Sequence, residues 1–407
     1  MESSKPHAII VSSPGVGHLV RDLELGNRMV ADHNFQLTFI VLEYPIKAGE
    51  TQLIQSAKAQ KLLDIVELPP VDLSGQLQPN APIFTRLTAV MCEIRETLWS
   101  AIFALKPTPS ALIVDTFGTP ALDVTDEFHM LKYVFVSFVW PLALMLYLTI
   151  LDKEVGGEYV DEKEPMRLPG CILPVRPEDV LVSMMDRTKQ EYNFLLQVTS
   201  KMRESDGVLT NTWEDLDATT LKAMREEKSY GSVQVYEVGP LIRPVVPPTS
   251  RSQLLDWLDE QPVESVLYIE FGSLVLSAQQ ITKLASGLEL SQQRFIWVLR
   301  SNKDAHASAN RDDAMLAYLP DGFLKRTHES ILSGVPMTAW PLYAEQKMNA
   351  TMLAQEVGVA VRPKVAPIKG VVGREEIEMI VRKVIYGGPG REGYEGQCVM
   401  NSQMHGK

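Results

Sequence analysis

Cysteine is scarce: Cys92, Cys171 and Cys398 are the only three in 407 residues, far apart and without a Cys-x-x-Cys pair. That spacing supports neither a disulfide framework nor a zinc ribbon, and it fits a reducing compartment. Positive charge is also short, with 39 Lys and Arg against 51 Asp and Glu and a formal net charge of −12. Such a field repels phosphate backbones and anionic membrane surfaces, so nucleic-acid binding is disfavoured. The residues before the strand-like His7 to Ser12 lack the apolar core and small-residue cleavage site of a secretory signal. A cytoplasmic chain is therefore expected. Long apolar runs are nearly absent too; the exception, Tyr133 to Leu151, carries no charge and approaches the length of a membrane span. We read it instead as a buried strand to Phe138, a break at Trp140-Pro141 and a core helix from Leu142 to Leu151. Hydrophobic residues at 45% and charged residues at 22% are near globular averages, which excludes disordered, collagen-like and coiled-coil classes and leaves two or three folded domains.

What is present is alternation. Strands at His7 to Ser12, Gln36 to Leu42, Ile65 to Leu68 and Ala111 to Asp115 are interleaved with helical stretches at Leu19 to His33, Gln52 to Lys61, Thr85 to Leu105 and Thr119 to Phe128. This order requires right-handed crossovers and predicts a doubly wound parallel sheet. A connector with Pro240, Pro244, Pro247 and Pro248 then separates a second half. The predicted division is 1–238, a linker at 239–252, a second domain at 253–385 and a tail at 386–407. In the second domain Ser265 to Phe271, Arg294 to Arg300 and Val335 to Trp340 read as strands and Ala278 to Leu290 as a helix. Ser301 to Leu319 reads as loop, Pro320 to Arg326 as a turn-helix, and three strands are fewer than a doubly wound domain needs.

The first strand runs into Ser13-Pro14-Gly15-Val16-Gly17-His18. Two glycines allow a tight turn at a strand's carboxyl end, where open α/β sheets bind ligands, and place His18 at the helix start. A plain tight turn with a solvated histidine fits the same pattern. No third glycine follows to complete a dinucleotide fingerprint, and Gly-x-Ser-x-Gly is absent from the chain, so nicotinamide oxidoreductase and α/β-hydrolase readings lose their main support. Asp115 closes another strand; beside His18 it would fix the imidazole tautomer and stabilise the imidazolium, although a strand-end Asp also serves as a helix cap.

These residues, together with Ile113 to Thr119, Leu168-Pro169-Gly170-Cys171, Asp256-Trp257-Leu258, Phe271-Gly272-Ser273, Arg294 to Arg300 and Trp340 to Ala350, resemble the plant UDP-dependent glycosyltransferases of family 1. The resemblance runs from about Lys5 to about Ile385 and is nearest the branch acting on hydroquinone, monolignols and anthocyanidins. It implies a GT-B α/β fold, two doubly wound Rossmann-like domains facing a cleft, the second one incomplete. It further implies UDP-glucose and a small phenolic acceptor as partners, a monomer, and no cofactor or metal, the UDP-sugar being a co-substrate. By the same resemblance His18 is the general base, Asp115 its orienting carboxylate and Phe117 an acceptor-pocket residue. Ser273 is a donor-phosphate contact, Glu329 holds the ribose, and Glu345 and Gln346 read the sugar hydroxyls.

The chain also departs from that family. Trp-x-Pro-Gln and His-Cys-Gly-Trp-Asn-Ser, the front of the donor box, do not occur; His328 runs directly into Glu329-Ser330. His328 matches the segment upstream of the box and is not assigned to phosphate. Arg21-Asp22 replaces an apolar pair after His18-Leu19, and the residues from Tyr386 onward match nothing in the family. Loss of two central strands and their helix would expose unpaired amides and an apolar face in the second domain.

Overall fold

The computed structural model describes residues 5–42, 48–75, 77, 83–241, 253–271, 276–298, 337–367 and 370–387. The chain divides into two compact units, Met1–Pro244 and Val245–Lys407. The first unit runs β1 (His7–Ser12), α1 (Val16–Ala31), β2 (Gln36–Leu42), α2 (Ala48–Gln60), β3 (Asp64–Leu68), α3 (Ile83–Glu93), α4 (Arg95–Ala104) and β4 (Ala111–Asp115). A 3₁₀ segment at Thr119–Val124 and α5 (Thr125–Phe128) lead to β5 (Leu131–Val136), α6 (Val139–Val155), α7 (Gln190–Glu204), β6 (Gly207–Thr210), α8 (Glu214–Glu226) and β7 (Val235–Glu237).

These strands form one seven-stranded sheet of order β3-β2-β1-β4-β5-β6-β7, parallel at every pairing. Every residue of β1 is buried, as a strand covered on both faces requires. On one face Ala8 and Ile10 pack with Leu37, Phe39 and Val41 of β2, beneath Leu19, Leu23 and Leu25 of α1. The strand order reverses between β1 and β4, which pair directly, Val11 opposite Val114. At such a switch point crossovers leave in opposite directions and open a crevice at the carboxyl ends of the strands.

Several sequence expectations change in detail. The Thr85 to Leu105 helix is two helices, α3 and α4, joined at Ile94. The Thr119 to Phe128 helix starts as 3₁₀, with Pro120 in its first turn, where a residue without an N–H is tolerated. Tyr133 to Leu151 resolves into β5 and α6; Pro141 falls inside the first turn of α6 and does not delay its start to Leu142. Among the described residues no helix is long and apolar enough to cross a membrane.

The second unit contains α9 (Gln253–Asp259), β8 (Val266–Ile269), α10 (Ala278–Ser291), β9 (Arg294–Trp297), β10 (Met337–Thr338), α11 (Gln346–Thr351), β11 (Ala360–Val361) and α12 (Arg374–Tyr386). Among the described residues its strands form two parallel pairs, β8 with β9 and β10 with β11; β11 is too short for its two residues to announce a strand. The core is an α10–α12 sandwich on β8 and β9, with Ile281, Leu284, Ala285 and Leu288 meeting Val372, Ile377 and Val381. Gly287 permits the close crossing, since a Cβ there would lie 2.6 Å from Cβ of Ile377. The predicted loop at Ser301 to Leu319 and turn-helix at Pro320 to Arg326 lie outside the described residues.

Candidate active site

The switch point brings His18 and Asp115 together. Gly15, at φ 129°, caps α1 in a region of backbone space that side chains disfavour. The chain turns there so that the N–H groups of His18 and Leu19 both reach the Gly15 carbonyl, at 3.1 and 3.0 Å. His18 thus sits in the first helical turn. Its Nδ1 lies 2.6 Å from Oδ2 of Asp115, whose side chain is fully buried while that of His18 is 22% exposed. One end of the imidazole is anchored, and the ring keeps partial exposure.

Asp115 is held from several sides. The Ser13 hydroxyl donates to Oδ1 at 2.6 Å, and the Gly118 N–H donates to the same oxygen at 3.0 Å. Burial alone would raise this carboxyl. The attraction and hydrogen bond of His18, the charge of Arg21 and the hydroxyl of Ser13 outweigh it and hold Asp115 well below the usual carboxylate range. The balance favours the anionic carboxylate against the ring.

Arg21, one turn along α1 from His18, reaches the same pair. Its Nη2 lies 2.7 Å from Nδ1 of His18 and 3.3 Å from Oδ2 of Asp115; Nη1 donates to the Ser137 hydroxyl. Its Nε donates to Oδ1 of Asp22 at 3.3 Å, and the Ser12 hydroxyl donates to Oδ2 of Asp22 at 2.7 Å. Burial pushes the Asp22 carboxyl up to about 6 against the opposing charge of Arg21, with the Asp115 charge adding to the rise.

Phe117 stands edge-on to His18, with centroids 5.6 Å apart. Phe84 of α3 packs against it at 5.1 Å and Phe194 of α7 at 6.1 Å, so that Phe117 and the two rings behind it make an aromatic wall beside the imidazole. Sequence reasoning placed His18, Asp115 and Phe117, and flagged Arg21 and Asp22 as charges near the base. It missed Phe84 and Phe194, which are remote in sequence, and Ser13 and Ser137, whose strand-end positions alone give no signal.

In the second unit Glu345 precedes α11 as its N-cap, and the Gln346 side-chain oxygen accepts from Leu342 N–H at 2.8 Å and Tyr343 N–H at 3.3 Å. The oxygen of Gln346 is thus engaged in shaping the turn. Both residues are half-buried. Ser273 and Glu329 lie outside the described residues.

The switch point of the sheet thus holds a carboxylate-anchored imidazole at a Gly-rich turn, at the strand ends where open α/β sheets bind ligands. The family model for "UDP-glucoronosyl and UDP-glucosyl transferase" matches residues 251–387. The anthocyanidin 3-O-glucosyltransferase 5 of Manihot esculenta is 45% identical over 435 residues, covering 96% of this chain and 89% of the relative. The hydroquinone glucosyltransferase of Rauvolfia serpentina is 38% identical over 436 residues, covering 95% of this chain and 91% of the relative. The solved structure of TcCGT1 in complex with UDP superposes with a TM-score of 0.86 at 38% identity, covering 98% of this chain and 94% of that one. The chain belongs to the plant family 1 UDP-glycosyltransferases, which are hexosyltransferases, and its fold is the GT-B-like α/β fold. The Manihot alignment is longer than the whole 407-residue chain, so part of that relative has no counterpart here.

Proposed function

We propose that this chain is built as an inverting UDP-glucosyltransferase for small phenols, with an acceptor half that keeps its base and a donor half so depleted that activity is reduced or lost. The observation that carries the reading is the 2.6 Å contact between His18 Nδ1 and the ionised Asp115. With Nδ1–H donated to Asp115, Nε2 presents a lone pair. It takes the proton of an acceptor hydroxyl as that oxygen attacks the anomeric carbon; the bond from that carbon to UDP breaks, UDP leaves with the electron pair, and the configuration inverts. Asp115 stabilises the imidazolium that forms. A phenol suits such a site because its acidity demands only a mild base, and the wall of Phe117, Phe84 and Phe194 suits a flat apolar ring. The names of the Manihot and Rauvolfia relatives, an anthocyanidin and a hydroquinone glucosyltransferase, support the same acceptor class.

On the donor side Ser273, Glu329, Glu345 and Gln346 stand for contacts to phosphate, ribose and glucose, in a cytoplasmic monomer that needs no cofactor. Without Trp-x-Pro-Gln and His-Cys-Gly-Trp-Asn-Ser, uracil stacking and most leaving-group stabilisation are lost. Losing one charge-stabilising donor alone costs about 3 to 4 kcal/mol, at least a hundredfold in rate. The same absence favours a second reading, a small-phenol-binding relic without turnover. A Rossmann-type oxidoreductase has no glycine fingerprint after β1 to support it.

The test is calorimetric titration with UDP and with a simple phenol, beside a version carrying the family's box segment between His328 and Glu329. Weak UDP binding that recovers with turnover only on restoration supports the proposal. Micromolar UDP affinity in the unrestored chain refutes donor-site loss, and a restored chain that binds UDP yet transfers nothing favours the relic.

A further inference from the structure

The mechanism above uses one side of the buried cluster around His18 and leaves Arg21 without a role. We propose that Arg21 is a positioning residue that competes with Asp115 for Nδ1 of His18 and so sets which ring nitrogen carries the proton; this rests on the reading of His18 as the base. Nδ1 has two close neighbours of opposite hydrogen-bonding character, the Asp115 carboxylate at 2.6 Å and the Arg21 guanidinium at 2.7 Å. A ring nitrogen either carries a proton or offers a lone pair. Protonated, Nδ1 donates to Asp115 and faces a second donor in Arg21. Unprotonated, it accepts from Arg21 and turns its lone pair toward a carboxylate. The two short contacts cannot both be hydrogen bonds in one neutral tautomer.

The two outcomes differ in chemistry. With the proton on Nδ1, Nε2 is free to take the acceptor's proton. With Arg21 donating to Nδ1, the proton sits on Nε2 and the base is blocked until it returns. After proton transfer the ring donates to Asp115 while a guanidinium faces the same nitrogen.

Arg21 is not a side chain that happens to lie nearby. Ser137 at the end of β5 holds one arm, Asp22 holds Nε, and the Phe135 ring lies under the guanidinium at 5.7 Å. Withdrawing it would leave Asp22, 1% exposed, without its cation.

The test is nitrogen-15 NMR of the histidine rings in the intact chain with the rings neutral, His18 being assigned by its loss in His18→Ala. In the wild type the Nδ1 resonance is expected between the protonated and unprotonated positions, with Nε2 displaced in the opposite sense. Arg21→Leu, and the double variant Arg21→Leu with Asp22→Asn, which leaves no unpaired buried carboxylate, are expected to move Nδ1 to the fully protonated position and Nε2 to the unprotonated one. A wild-type ring already protonated wholly on Nδ1 overturns the proposal without any variant, as does an unchanged spectrum in a folded variant. The ring spectrum needs no turnover: failure of the Arg21 role would show as a spectrum indifferent to Arg21, whereas failure of His18 as base would show separately, as transfer retained by His18→Ala in the version carrying the family's box segment.

Discussion

The two units contain parallel strands of very different standing. In the first, β1 lies between β2 and β4 in a seven-stranded sheet and all six of its residues are buried. In the second, all four residues of β8 are only half-buried, and its sheet among the described residues is a single pair with β9. A parallel strand is stabilised by neighbours on both edges and helices on both faces. The stretch Ser265 to Phe271, read from its pattern as a strand, forms β8 over Val266–Ile269 without the full burial of β1. Among the described residues, then, the two units differ in how far their strands are covered.

The sharpest way to test that contrast is chemical. In the version with a restored donor box, His18→Ala should lower kcat/KM by about 10²- to 10⁴-fold, the usual worth of a positioned general base. Phenol binding by calorimetry should persist, because the aromatic wall is untouched. Full activity in His18→Ala would mean that His18 is not the base the proposal makes it.

A stability experiment can break the comparison from the other side. Gly287→Val places side-chain atoms against Ile377 and the Arg374 carbonyl, already 2.6 and 2.8 Å from a Cβ at that position, and should cost about 1 to 3 kcal/mol by overpacking. Scanning calorimetry should show only the transition of the second unit moving to lower temperature. One shared transition that shifts as a whole would show the two units to be thermodynamically inseparable.

Asp22→Asn tests a liability inside the first unit. The native carboxyl titrates near 6 against an ordinary value of 3.8, so between these values the folded state binds the proton more tightly than the unfolded state. Its contribution is favourable at low pH and is lost as pH rises through about 6. Asn removes that loss, at the expense of weaker hydrogen bonds to Ser12 and Arg21. Urea titrations should find the variant more stable by about 1 to 2 kcal/mol at pH 7, with the gain vanishing below about pH 4. Asp115 has the opposite sign: its stabilisation is present above the ordinary carboxylate range and disappears as pH falls. A gain over the wild type no larger at pH 7 than at pH 4 would remove Asp22 as a stored cost. The smallest expected difference is in limited proteolysis, where the first unit should persist a few times longer than the second.

Much of the first unit was legible in the sequence because its strands are continuous apolar runs between turn residues. His7 to Ser12 and Ala111 to Asp115 emerge with their predicted bounds. The helix over Thr85 to Leu105 was read as one because apolar residues continue through Ile94, which is fully buried at the joint. Ala360 and Val361 form a strand only by pairing with Met337 and Thr338, a tertiary fact that two residues cannot encode. The site was half legible. His18 and Asp115 carry strand-end signals, and Arg21 could be seen as a charge beside the base. Its contact with both members of the pair depends on where β4 and β5 deliver Asp115 and Ser137, and no local pattern contains that.

The adjacency of β1 and β4 has a kinetic consequence. Ala8 pairs with Ala111, so the strands that present His18 and Asp115 meet only after roughly a hundred residues of chain have been closed, an entropic penalty of about 4 kcal/mol. No short fragment can assemble the imidazole and its carboxylate in advance. The imidazole and its partner carboxylate are consequently reporters of long-range folding, and recovery of their hydrogen bond after denaturation should track completion of the central sheet, not formation of α1.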